Sequence, residues 1–244
     1  MRIFEPGSEN FDQLVEEFHW QVPEYFNIAT AVCERHAADP ARADQPALIC
    51  ARESDADGAA TRYSFKQLNE QANRLANALS QLDCGKGDRV AIVLPQRLET
   101  ALAHIAAHKL GAVSLPLSVL FGVDALQHRI SDSGAKVVIA ASSHADMLLG
   151  LLPELPEFKH LLICEDASAD IMQFADSAEP GTSVHDFATL LDLQSAEFES
   201  VNTRSEDPAC LIYTSGTTGP PKGCLLYTSP SPRDATLSRM PSSA

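Results

Sequence analysis

Basic residues are scarce in this sequence, and long hydrophobic runs are missing from it. Its 244 residues include 18 Lys and Arg against 33 Asp and Glu, which gives a formal net charge of −15. Nucleic acids and anionic membrane surfaces are bound through clusters of basic side chains, so the charge argues against both as partners. No stretch approaches the roughly 18 consecutive apolar residues that a membrane-spanning helix needs, so we expect no membrane span.

Paired cysteines are missing as well, and no leader sequence is expected. None of the six cysteines forms a C-x-x-C pair, which argues against a zinc site and against a disulfide framework. The first residues, MRIFEP, lack the basic-then-apolar order of a secretory signal, and the acidic residues that follow are atypical of a transit peptide. We therefore expect a cytoplasmic protein with reduced thiols and no metal-binding residues.

What is present is the pattern of a globular α/β protein. Hydrophobic residues make up 45% of the chain and charged residues 21%. Short apolar runs alternate with segments of helical periodicity. The predicted strands cover residues 46–50, 61–63, 90–94, 112–117, 136–141, 161–164 and 209–212, and the first two are expected to form a hairpin. The predicted helices cover residues 27–36, 97–110, 123–132, 144–152 and 184–193, and the stretch from the capping box Ser64-x-x-Gln67 to Leu82. Gly111 is expected to close the helix 97–110. Apolar strands separated by helices predict a mostly parallel sheet with helices on both faces.

One loop carries the chemistry of the sequence. Residues 213–223, YTSGTTGPPKG, follow the apolar strand 209–212. Glycines allow close backbone approach, hydroxyls donate to phosphate oxygens, and the lysine adds positive charge, so the composition suits a polyphosphate. The loop is not the G-x-x-x-x-G-K-[ST] phosphate loop, because Pro221 stands in place of its second glycine and Gly223 replaces its metal-binding hydroxyl. A short Gly/Thr/Ser/Pro cluster after a strand is usually only a turn, but eleven residues of this pattern favour a binding loop.

These residues resemble the signature loop of the adenylate-forming superfamily, which includes acyl-CoA synthetases, peptide-synthetase adenylation domains and firefly luciferase. Its pattern, [YF]-[TS]-S-G-[TS]-T-G-x-P-K-G, is met at every position. The resemblance extends to residues 68–79, 87–94 and 109–117, and residues 20–27 and 111–117 are most similar to medium-chain acyl-CoA synthetases. The phosphate-contacting candidates that it implies are Thr214, Ser215, Gly216, Thr217, Thr218, Gly219 and Lys222.

The resemblance implies a carboxylate–CoA ligase, with a fatty acid as the expected substrate. Such an enzyme uses ATP, Mg2+ and coenzyme A, forms an acyl-adenylate, and then transfers the acyl group to the CoA thiol. The alternatives are another adenylate-forming enzyme, such as an aryl-CoA ligase or a peptide-synthetase module, and a non-catalytic truncated protein that binds nucleotide. The oligomeric state stays open.

The resemblance also implies that this chain is incomplete. Residues 1–26 are expected to form an N-terminal extension, and residues 27–223 the first part of the adenylation domain. The family's adenine-contacting segment, ribose-binding aspartate, hinge and catalytic lysine follow the signature loop. We therefore expect no catalytic residue within this chain, no ligase activity from it alone, and poor folding in isolation, because its truncated sheet leaves strand edges unpaired.

Residues 224–244 differ in character from the rest and are expected to be a disordered, non-native tail. Residues 224–234, CLLYTSPSPRD, resemble the translation of a transposase-type sequencing adapter, and residues 238–244, SRMPSSA, that of its flanking primer. The intervening residues correspond to an index of about eight nucleotides. Like a processing scar, such a segment carries no information about the fold.

Resequencing the source gene from codon 215 onward with an independent library chemistry tests this interpretation. We expect the reading frame to continue past Gly223 into a different sequence. Confirmation of codons 224–244 followed by a native stop would instead identify a natural truncated protein, and nucleotide binding would then replace catalysis as the activity to assay.

Overall fold

The structure, a computed structural model, describes residues 22–51, 60–164, 181–214 and 219–227. A π-helical turn, Thr30–Glu34, continues into a short α-helix, Arg35–Ala37, and the two together are called α1. The other α-helices are α2 (Phe65–Gln81), α3 (Leu98–Leu110), α4 (Val123–Ser133), α5 (Ala145–Gly150) and α6 (Phe187–Asp192), and Ser142–His144 and Leu152–Glu154 form short 3-10 helices on either side of α5. The strands are β1 (Pro46–Cys50), β2 (Thr61–Ser64), β3 (Arg89–Val93), β4 (Val113–Pro116), β5 (Val137–Ala141), β6 (His160–Cys164), β7 (Ser183–Asp186), β8 (Pro208–Thr214) and β9 (Lys222–Tyr227).

A seven-stranded sheet, in the order β7-β6-β5-β3-β4-β8-β9, organises the molecule. All neighbouring strands run parallel except β8 and β9, which form an antiparallel hairpin at one edge. Strands β1 and β2 form a separate antiparallel pair, as their sequence pattern predicts. The expected fold class, a mostly parallel sheet flanked by helices, is confirmed.

Two hydrophobic cores cover the two faces of the sheet. Alternate residues of each central strand point to opposite faces, so Val90 and Ile92 pack against α2 and α3, whereas Ala91 and Val93 pack against α4 and α5. This explains why the central strands are apolar at nearly every position. Among the described residues, no helix is long and apolar enough to cross a bilayer.

Capping residues account for several helix boundaries that the sequence predicts. The Ser64 hydroxyl accepts from the Gln67 amide while the Gln67 side chain accepts from the Ser64 amide, which completes the capping box of α2. Helix α3 ends at Gly111, whose φ of 69° is left-handed and favours glycine. The Asn27 carboxamide oxygen accepts from the amides of Ala29 and Thr30 at the start of the first helical segment.

Two predicted segments differ from the structure. The single helix predicted for residues 184–193 is a strand followed by a helix, because β7 pairs with the edge of β6 before the Asp186 side chain caps α6 through the Thr189 amide. The tail expected to be disordered from Cys224 begins instead in strand β9, which extends to Tyr227 and pairs with β8. Backbone pairing with β8 decides both the presence and the length of that strand.

Residues 22–38 are held against the sheet domain by a buried lysine and by backbone contacts. The Lys109 ammonium group, fully buried, lies 3.1 Å from the Glu34 carboxylate and donates to Ser200 at 3.4 Å. The Asn27 side chain donates to the carbonyls of His108 and Val201. The Phe26 amide donates to the carbonyl of Thr203. The boundary expected after residue 26 thus lies within a segment that contacts residues 200–205.

Replacing Lys109 with alanine in the complete protein is expected to lower the free energy of unfolding by about 3 kcal/mol. The substitution removes a buried charge from its partner and leaves the half-buried Glu34 carboxylate without its cation. Chemical denaturation measures the loss. Lys66→Ala, at an exposed position of α2, is the control and should change the same free energy by less than about 0.5 kcal/mol. Equal stability of the two variants would contradict a stabilising role for the ion pair.

Stability should also fall in mild acid because of His108. Burial, and to a smaller extent the neighbouring His104, lowers the pKa of His108 from 6.5 to about 4. The unfolded chain therefore binds a proton more readily than the folded one between these values. The stabilising contribution is complete above pH 6.5 and is lost as the pH falls toward 4, by up to about 3 kcal/mol. His108→Asn should flatten this part of the stability profile; an unchanged slope would assign it to other groups.

Candidate phosphate-binding site

Strands β8 and β9 form the two sides of the loop that the sequence singles out. Their register pairs Tyr213 with Gly223 and Thr214 with Lys222. The chain therefore returns from the loop as an antiparallel strand, whereas the G-x-x-x-x-G-K-[ST] loop opens a helix. This geometry agrees with the sequence-based distinction between the two kinds of phosphate loop.

Strand β8 ends at the carboxyl edge of the parallel sheet, and the candidate loop follows it there. Strand β8 runs parallel to β4, with Ser114 opposite Cys210, and the Ser114 hydroxyl donates to the Ala209 carbonyl at 3.4 Å. Thr214, the last residue of β8, thus lies at the edge where the other parallel strands also end. Open α/β sheets bind their ligands at this edge.

Thr214 and Lys222 lie side by side at the mouth of the hairpin. Directly opposed residues of an antiparallel pair point to the same face, so the threonine hydroxyl and the lysine ammonium group share one face. Both residues are exposed. Within the part of the chain that the structure describes, Lys222 forms no ion pair, so its charge is available to an anion.

Gly219, in the same loop, has an accessible backbone. Its φ of +96° lies outside the range that other residues adopt without strain, and no atom lies within 4 Å of the position a Cβ would occupy. The glycine is thus required by backbone conformation and not by crowding. Of the other candidate residues, Ser215, Gly216, Thr217 and Thr218 lie outside the described residues.

Helix α4 supports the hairpin through contacts that the loop sequence does not reveal. The Tyr213 hydroxyl donates to the Asp132 carboxylate, and the guanidinium of Arg129 lies 5.7 Å from the centre of the Tyr213 ring. Burial and the bond to Asp132 raise the pKa of Tyr213 well above its ordinary value, which keeps the hydroxyl protonated as the donor. His128 Nε2 donates to the carbonyl of Pro221 at 3.0 Å.

His128, Arg129 and Asp132 are not identifiable from the sequence as parts of this site. The apolar face of residues 123–132 predicts the helix, but these polar residues carry no motif of their own. The spacing of His128 and Asp132, four residues apart, places them on one helix face. That spacing is too common in helices to identify a partner without the fold.

A cleft of about 880 Å3 lies elsewhere, between the β1–β2 pair and the first turn of α3. Tyr63, Arg97 and His104 are among its lining residues, and Arg97 forms a two-point ion pair with Glu99. The three described phosphate-contacting candidates, Thr214, Gly219 and Lys222, do not line this cleft. Among the described residues, no group of three or more His, Cys, Asp or Glu side chains is arranged to hold a metal ion.

Comparison with solved structures supports the fold. The acyl-CoA synthetase of Brucella canis superimposes with a TM-score of 0.71 at 23% identity, over 91% of this chain and 38% of that one. The anthranilate CoA ligase AuaEII, solved with anthranoyl-AMP, gives a TM-score of 0.70 at 23% identity, over 85% of this chain and 36% of that one.

Sequence comparison gives the family. The acetyl-coenzyme A synthetase of Yersinia pestis (strain Pestoides F) is 33% identical over 226 residues, which cover 89% of this chain and 34% of that protein. That of Streptomyces coelicolor is 34% identical over 212 residues, which cover 83% and 31%. This chain thus spans about a third of the length of these curated relatives. The family model described as "AMP-binding enzyme" matches residues 33–230, and the chain therefore belongs to the AMP-binding enzyme family.

Proposed function

We propose that the complete protein is an AMP-forming carboxylate–CoA ligase, and that the β8–β9 hairpin binds the phosphates of its ATP substrate. The observation that carries the proposal is the pairing of Thr214 with Lys222 at the carboxyl edge of the sheet. A hydroxyl donor and an available cation face the same side there, in a chain whose family model matches residues 33–230.

The described residues fit a polyphosphate. Lys222 supplies positive charge to a chain whose formal net charge is −15, so this local field matters for an anionic substrate. Thr214 supplies a hydroxyl donor, and the open backbone at Gly219 allows close approach. Ser215, Gly216, Thr217 and Thr218 complete the proposed loop by the family pattern. Mg2+ commonly takes most of its ligands from substrate phosphates and water, so the loop itself need not supply acidic ligands.

In the proposed reaction, a carboxylate oxygen attacks the α-phosphorus of ATP, and pyrophosphate leaves. The sulfur of coenzyme A then attacks the acyl carbon, and AMP leaves. The loop contributes by binding the β- and γ-phosphates, which neutralises charge on the departing pyrophosphate and holds the α-phosphorus in line with the carboxylate. No residue of this chain is assigned to proton transfer.

A fatty acid is the substrate that the sequence resemblance favours, since residues 20–27 and 111–117 are most similar to medium-chain acyl-CoA synthetases. Acetate is the second candidate, because the Yersinia and Streptomyces relatives are named acetyl-coenzyme A synthetases. An aromatic acid is the third, and the neighbour solved with anthranoyl-AMP provides the reason to assay it. ATP, the acid and coenzyme A are the proposed small-molecule partners.

Carboxylate-dependent exchange of pyrophosphate into ATP tests the proposal in the complete protein. We expect exchange with at least one acid from a panel of acetate, medium-chain fatty acids and aromatic acids. Lys222→Ala should reduce the exchange rate at least tenfold, which corresponds to about 1.4 kcal/mol of barrier. The loss is expected because the ammonium group no longer stabilises the charge on pyrophosphate.

Lys66→Ala is the matched control, since it removes an exposed lysine from α2, away from the hairpin. It should exchange pyrophosphate at the wild-type rate. Equal rates for the two lysine variants would show that Lys222 is dispensable. Nucleotide binding without exchange on any acid of the panel would favour a non-catalytic nucleotide-binding protein.

A further inference from the structure

One face of helix α4 contacts both sides of the candidate phosphate loop. The Asp132 carboxylate accepts from the Tyr213 hydroxyl, just before the loop, and His128 Nε2 donates to the Pro221 carbonyl at 3.0 Å, near its end. His128 and Asp132 lie four residues apart and so on one helix face. A single rigid element thus holds the chain on each side of the loop.

The Tyr213 ring, which is partly buried, contacts both α4 and β9. A Cβ added to Gly223, the residue opposite, would lie 3.3 Å from Tyr213 Cζ and 3.1 Å from Leu211 Cδ1, so the ring packs against bare backbone. The guanidinium of Arg129 lies 4.2 Å from the centre of the Phe121 ring and 5.7 Å from that of Tyr213. These contacts join the Tyr213 side chain to both α4 and β9.

The two faces of the hairpin have separate roles. Tyr213 and Gly223 lie on the face toward α4, and Tyr213 packs against the core that includes Leu126 and Ile130 of that helix. Side chains alternate along a strand, so the next residue, Thr214, and its partner, Lys222, point to the opposite face. A shift of the hairpin relative to α4 would therefore displace the hydroxyl and the ammonium group together.

We propose that Asp132 and His128 are positioning residues, which set the orientation of Thr214 and Lys222 toward the phosphates by holding Tyr213 and Pro221. This inference rests on the proposed adenylation function. Neither residue is assigned a contact with substrate, so their loss should weaken the binding of ATP and leave the binding of the acid unchanged. A purely stabilising role would not separate the two substrates.

Pyrophosphate exchange by variants of the complete protein separates these roles. We expect Asp132→Ala and Tyr213→Phe each to raise the KM for ATP at least fivefold, with the KM for the acid unchanged within twofold. Asp132→Asn retains an oxygen that can accept from Tyr213, so it should stay within twofold of wild type. Asp132 and Tyr213 form one hydrogen bond, so breaking it from both sides should cost no more than breaking it from one. The double variant Asp132→Ala/Tyr213→Phe should therefore raise the KM for ATP no further than the more impaired of the two single variants. His128→Ala should raise the same KM, and His128→Gln, which keeps a donor, should restore it in part.

Ser131→Ala is the control, since it changes an exposed neighbour on the same helix and should leave both KM values unchanged. An unaltered KM for ATP in Asp132→Ala and Tyr213→Phe would overturn the proposal. So would equal rises in the KM of ATP and of the acid, which indicate a general loss of stability. An Asp132→Asn variant as impaired as Asp132→Ala would also overturn it, because a retained acceptor for the Tyr213 hydroxyl would then not preserve ATP binding.

Amide hydrogen exchange measures the same contacts without catalysis. Exchange in a peptide spanning residues 208–223 should be at least fivefold faster in Asp132→Ala and Tyr213→Phe than in wild type or Ser131→Ala. Unchanged exchange would overturn the proposal whatever the kinetics. Absence of pyrophosphate exchange in the wild-type protein would contradict the ligase function, and the hydrogen exchange would then still decide whether α4 holds the hairpin.

Discussion

The pairing of β8 with β4 is the constraint on which the candidate site depends. It joins Cys210 to Ser114, residues far apart in the chain, and carries the loop to the carboxyl edge of a sheet whose central strands β3, β5 and β6 are covered on both faces. Helix α4 follows β4 and packs on the same face as Leu211 and Tyr213 of β8. The position of one strand therefore determines which helix supports the loop.

This arrangement separates support from binding. The face of the hairpin toward α4 carries Tyr213, whose ring packs beside Arg129 and whose hydroxyl donates to Asp132. The opposite face carries Thr214 and Lys222, both exposed. Alternation along a strand makes the separation possible, because neighbouring residues can be packed and solvent-accessible in turn. Rigid support beneath donors and charges is the general requirement for electrostatic stabilisation of a reacting group.

A second interaction, the buried ion pair of Lys109, shows that a residue of a family motif can have a structural role instead of a role in binding or catalysis. Lys109 begins the segment KLGAV, which belongs to the family pattern, and it is fully buried beside Glu34. Together with the hydrogen bonds of Asn27, this ion pair joins residues 22–38 and 200–205 to the end of α3. Its position beneath two chain segments indicates a structural role, whereas Lys222 lies exposed at the surface and forms no ion pair with the described residues.

Local patterns were sufficient for much of this description. Strand and helix periodicity, the capping box at Ser64 and the left-handed Gly111 depend on neighbouring residues, and the structure confirms the elements they predict. The composition of residues 213–223 likewise indicated a phosphate loop unlike the G-x-x-x-x-G-K-[ST] type. Strand β7 escaped prediction because its pairing with β6 outweighed a weak helical pattern. The tertiary structure alone decided that Asp132 would meet Tyr213, 81 positions along the chain, and that His128 would meet Pro221, 93 positions away. Contacts at such separations depend on how the helices and strands pack, and no local pattern encodes them.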